Sequence, residues 1–157
     1  MAQILICIIP VCNSDSGFNN SLAAQWYDVI SAQLPFIQTK FLSGADGVDR
    51  WRDQSTWDDC LQGVRTVVCT YQILLDALIH GFIPIFSLAL VVFDEGKHEH
   101  IASTLRLMLG IAHHCVAAHP ANRIMRDFYH ATEVAKRPAI LGLTASPQTK
   151  TKVGVLE

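Results

Sequence analysis

Leu88-Ala-Leu-Val-Val-Phe93-Asp94-Glu95 is an unbroken apolar run that ends in two carboxylates. Consecutive apolar positions require burial on both faces, which a strand finds inside a parallel sheet covered by helices. Ligands of such sheets sit at the carboxyl ends of the strands, where an acidic pair can meet them. There an aspartate can hold Mg²⁺, usually through water, and the adjacent glutamate can polarise a water that attacks a γ-phosphate. Taken alone, the pattern equally fits a strand running into an ordinary acidic loop.

Similar runs lie on either side. Residues 4–9, 36–42, 65–70 and 139–144 read as further strands, rich in β-branched side chains. Between them, Ser21 can cap a helix that runs through Leu22, Trp26, Val29 and Ile30, and residues 72–80 have helical spacing ending at Gly81. Residues 120–132 read as a helix with proline in its first turn. Strands alternating with helices specify an α/β chain with a parallel sheet flanked by helices. Half of the 157 residues are hydrophobic and 17% are charged, which excludes disorder throughout and suffices for one core.

The formal net charge of −2 gives no overall attraction to nucleic acid or to an anionic membrane, so any RNA must be held by local motifs. The odd count of five cysteines, without framework spacing, fits a reducing intracellular compartment, cytoplasmic or nuclear. The apolar start of the chain lacks basic residues and stops at Pro10, so it reads as a buried strand rather than a signal peptide or membrane span. His98, His100, His113, His114, Cys115 and His119 crowd one stretch, but no cysteine pair accompanies the His114–His119 spacing, and zinc is not expected. Trp26, Trp51 and Trp57 are able to stack on bases, although packing of helices and loops accounts for them more simply.

Two further segments end strands in polar residues. Val67-Val-Cys-Thr70-Tyr71-Gln72 places a hydroxyl at a helix start, where free N–H groups suit phosphate, or where the hydroxyl simply caps the helix. Ile140-Leu-Gly-Leu-Thr144-Ala145-Ser146-Pro147 ends in small hydroxyl residues that can hydrogen-bond across to an acidic motif, or merely form a polar turn. In order along the chain, Thr70-Tyr-Gln-Ile-Leu-Leu-Asp-Ala-Leu, Val91-Val-Phe-Asp-Glu, His119-Pro-Ala-Asn-Arg-Ile-Met-Arg-Asp-Phe-Tyr-His130 and Leu141-Gly-Leu-Thr-Ala-Ser-Pro147 resemble the first helicase lobe of Dicer-like proteins. Gln38-Thr-Lys-Phe-Leu-Ser-Gly-Ala-Asp-Gly-Val-Asp-Arg-Trp51 resembles the fungal branch, of the second type. The resemblance covers residues 21–95 and 112–147.

It implies an incomplete RecA-like lobe of a superfamily 2 helicase, part of an ATP-hydrolysing enzyme that processes double-stranded RNA in silencing. Asp94 and Glu95 would be the Mg²⁺-holding and water-activating acids of motif II, with His113 completing it. Thr144, Ala145 and Ser146 would be motif III, which couples hydrolysis to strand movement. Gly44, Thr70, Tyr71 and Gln72 fall where relatives touch the nucleic-acid backbone. Mg and ATP are the cofactors implied; a second helicase lobe and RNase III domains are not in this sequence.

The departures are as informative. No Gly-x-x-x-x-Gly-Lys-Ser/Thr stretch occurs, so nothing supplies the N–H groups and lysine that grip the outer phosphates. The chain alone is therefore expected to be inactive as an ATPase, whether as an inert truncated or pseudogene product or as an RNA-binding remnant independent of ATP. Asp94-Glu95 continues as Gly96-Lys97-His98 where the family has Ala-His, and removing residues 96–111 restores Asp-Glu-Ala-His-His-Cys. Gly-Lys can be encoded by GGTAAG, which contains the splice-donor sequence GTAAG, so residues 96–111 read as a translated intron, or else as a genuine surface insertion, within a partial lobe spanning 21–147. Residues 1–20 read as an aberrant amino-terminal segment and 148–157 match nothing. Loss of the strand that carries the phosphate loop should leave a hydrophobic strand edge unpaired and the chain poorly soluble or partly folded.

Overall fold

The computed structural model of the chain describes residues 5–10, 19–95 and 120–144. Among these residues five strands form one sheet: β1 (Leu5–Pro10), β2 (Thr39–Leu42), β3 (Thr66–Cys69), β4 (Leu88–Glu95) and β5 (Ala139–Thr144). Their order is β2-β3-β1-β4-β5, with every pair parallel. This is the α/β arrangement with a parallel sheet that the apolar runs required. Residues 5–10, within the segment read as aberrant, supply the middle strand, with Cys7 opposite Val67 of β3 and Val91 of β4.

Among the described residues four helices connect the strands: α1 (Asn19–Gln33), α2 (Gln54–Leu61), α3 (Tyr71–Ile79) and α4 (Pro120–Arg123), the last widening into a π-helical turn over Ile124–Tyr129. Alternate residues of each strand point to opposite faces, and the core divides accordingly. Val67, Cys69, Val91 and Phe93 pack with Leu74, Leu78, Trp57 and Met125 on one face. Val68 and Val92 pack with Ala23 and Ile30 of α1 on the other.

α3 starts where Thr70 turns the chain, and its hydroxyl oxygen accepts the Ile73 N–H at 3.4 Å. It ends where Gly81 takes φ 74, a left-handed conformation that glycine adopts without strain. After Pro120 the expected α-helix gives way to the π-turn, closed by the His130 N–H donating to the Met125 carbonyl. The wider turn brings the adjacent pair Ile124 and Met125 into the core together, at 1% and 0% exposure. Arg137 donates to the carbonyls of Thr132 and His130 and lies over the Tyr129 ring, which neutralises the end of this helix.

Among the described residues β2 and β5 are the edges of the sheet. β2 has four residues and carries Lys40, a charge that discourages further pairing. β5 has six residues, no charge, and Leu141 is 45% exposed. No helix among the described residues is long and apolar enough to cross a membrane.

Candidate functional site

All the described candidate residues gather at the carboxyl ends of the parallel strands. Asp94 and Glu95 close β4, and Thr144 closes β5, with Glu95 directly opposite Thr144 and Asp94 opposite Leu143. On its other side Asp94 stands opposite Pro10 of β1. The sheet thus sets the backbone of Asp94 and Glu95 beside that of Leu143 and Thr144 at one strand spacing, about 4.8 Å. His113, Ala145 and Ser146 lie outside the described residues, as do residues 96–111 and 148–157.

The second group belongs to β2 and β3. Gly44 opens the turn after β2, and Thr70 follows β3 as the cap of α3. Ser43 donates through both its N–H and its hydroxyl to Asp46 Oδ2, each at 2.8 Å, which fixes the turn around Gly44. The Ser43 hydroxyl, then its backbone N–H, and more weakly the Lys40 charge hold the Asp46 carboxyl below the usual carboxylate range. A Cβ placed on Gly44 would meet no atom within 4 Å, so the chain's own packing does not demand glycine there and the space beside it is open. Thr70 Oγ accepts from Ile73 but keeps its own proton to donate outward. Gln72 is exposed and donates to Asp76 Oδ1 at 2.7 Å. Tyr71 is half-buried and stacked on Phe93 at 5.7 Å between ring centroids.

Gly44, Thr70 and Gln72 line one open groove of about 630 Å³. Trp51 from the segment before α2 and Trp57 of α2, both weighed in the sequence as able to stack on bases, line it too, and residues without a sequence signal complete it: Arg52 beside Trp51, Asp76 and His80 along α3, and Phe82 beyond it. Strand order places β3 and β4 two positions apart, so the Thr70 end of this groove lies about 10 Å from the acidic pair. No cluster of three metal-ligating side chains occurs among the described residues. The sequence holds no Gly-x-x-x-x-Gly-Lys-Ser/Thr stretch of the kind that takes the phosphates of ATP.

No protein-family model matches the chain. Curated relatives do. Dicer-like protein 2 of Cryphonectria parasitica is 44% identical over 139 residues, 87% of this chain and 8% of that protein. Dicer-like protein 2 of Coccidioides immitis is 44% identical over 141 residues, 87% of this chain and 9% of that protein. Dicer-like protein 2 of Aspergillus fumigatus is 44% identical over 131 residues, 81% of this chain. Among solved structures, the helicase domain of Hef from Pyrococcus furiosus is similar to 96% of this chain and 32% of its own, at a TM-score of 0.39 and 15% identity, a likeness too loose to decide topology. The chain spans less than a tenth of the length of the relatives it matches, and by sequence it belongs to the fungal Dicer-like protein 2 family.

Proposed function

We propose that the chain is part of the first helicase lobe of a Dicer-like protein and retains a face for the backbone of double-stranded RNA, without ATP turnover of its own. The observation that carries this reading is the shared groove of Gly44, Thr70 and Gln72, set beside strand ends that align Glu95 with Thr144. Gly44 allows close approach of a phosphate, the Thr70 hydroxyl and the Gln72 amide donate, and such contacts position RNA without reading its sequence. Bound Mg²⁺ would neutralise phosphate charge at Asp94, and Glu95 would orient water. Neither acid has a triphosphate to act on while nothing grips its outer phosphates.

Purified chain is expected to bind double-stranded RNA with an affinity that falls steeply between about 50 and 200 mM salt, as counterion release requires. It is expected to release no phosphate from Mg·ATP above a buffer blank. Filter binding and a phosphate-release assay check both. Absence of RNA binding at low salt would overturn the interface, and turnover abolished by Glu95→Gln would overturn the inactivity.

We also infer that residues 96–111 are a translated intron, since their removal restores Asp-Glu-Ala-His-His-Cys. Sequencing of spliced transcripts across codon 96 is expected to yield messages lacking these sixteen codons; their presence in every message refutes it.

A further inference from the structure

We propose that the groove beside α3 receives an unpaired nucleobase of the RNA whose backbone passes Gly44 and Thr70, and that Asp76 favours bases bearing an exocyclic amino group. This rests on the RNA reading above and adds to it which part of the RNA is recognised.

One wall of the groove is a continuous aromatic row. Trp51 meets Trp57 edge to face at 5.2 Å, Trp57 stacks on Phe82 at 5.5 Å, and Phe82 stacks on His80 at 5.5 Å. Trp57 is buried at 2% exposure and anchors the row in the core, while Trp51 and Phe82 are half-buried and His80 is exposed. Such a row offers a base a rigid stacking surface at little cost in side-chain entropy. Its volume of about 630 Å³ lies within the range of sites that enclose small organic ligands.

Charge decides which part of a nucleotide enters. Arg52 stands at the groove with no ion-pair partner among the described residues. Asp76 lies about 9 Å further along α3 than Thr70, six residues at the helical rise. A carboxylate there repels phosphate, so the backbone stays near Thr70 and Arg52 and the neutral base points toward Asp76. Asp76 Oδ1 is engaged by Gln72, and its second oxygen remains able to accept from an amino group. Cytosine, adenine and guanine carry that group and uracil does not. A paired base cannot reach the wall, since double-stranded RNA presents its shape, phosphates and 2′-hydroxyls rather than its ring faces. The groove therefore selects a duplex with an overhang or a bulge.

The test compares blunt duplex RNA with the same duplex carrying a short cytidine or uridine overhang, bound to the full 157-residue chain. Stacking of one base predicts about tenfold tighter binding of the cytidine overhang than of the blunt duplex. Trp51→Ala should erase that difference, Trp51→Phe should keep most of it, and Asp76→Ala should make the two overhangs equal. Equal wild-type affinity for blunt and overhanging duplexes overturns this inference and leaves the backbone interface standing. Failure to bind either duplex overturns both. A tenfold preference that survives both Trp51→Ala and Asp76→Ala places the base elsewhere and also overturns it.

Discussion

Phe93→Ala is expected to cost about 3–5 kcal/mol, a large part of the roughly 5–15 kcal/mol that holds a domain folded. Phe93 is 2% exposed, stacked on Tyr71 at the carboxyl end of β4. In the neighbouring strands it stands opposite Ile9 and Gly142. Gly142 has no side chain with which to fill the cavity, so the loss of transferred apolar surface is joined by a void. Urea unfolding followed by circular dichroism measures it. A loss below about 1 kcal/mol would contradict the packing described. Phe86→Ala, at a site 64% exposed, is the control and should change stability by about 0.5 kcal/mol or less.

Replacement of Trp57 should give two very different outcomes. Trp57→Ala removes the ring held between Trp51 and Phe82 and is expected to cost about 3–5 kcal/mol. Trp57→Phe keeps an aromatic ring there and removes the indole N–H, which is buried without a hydrogen-bond partner among the described residues. An unsatisfied buried donor costs about 1–3 kcal/mol, which offsets much of the lost area. The phenylalanine variant should therefore lie within about 1 kcal/mol of the parent by the same unfolding measurement. Similar losses in both variants would show that the N–H imposes no penalty.

The strands were legible because burial on both faces writes itself as continuous β-branched apolar runs. Val67-Val68-Cys69 and Val91-Val92-Phe93 each serve two opposed cores, and no polar residue can interrupt them. α3 was legible for a different reason: Thr70 caps one end and Gly81 closes the other. α2 was not read, because Gln54-Ser-Thr-Trp-Asp-Asp-Cys-Leu61 buries only Trp57 and Leu61 and is polar elsewhere. The acidic pair and Thr144 could be placed at strand ends from the sequence, whereas their alignment depends on β4 and β5 being neighbours. The groove was hidden more deeply. Its wall is built by residues scattered from Gly44 to Phe82, and Trp51 and Trp57 alone carry no spacing that tells stacking surface from core. Tyr71, read as part of the nucleic-acid face, is half-buried and stacks on Phe93.

The middle position of β1 has a consequence for where this unit can be divided. Within the sheet, β2 with β3 and β4 with β5 are two ribbons whose only shared backbone ladder, among the described residues, is Leu5–Pro10. A cut at Ser21 would strip that seam and expose a row of amides and carbonyls on each ribbon. The half bearing Thr70 and the half bearing Glu95 would then meet only through side chains, Val67 and Cys69 with Val91 and Phe93 around Leu74 and Met125, with no backbone ladder between them.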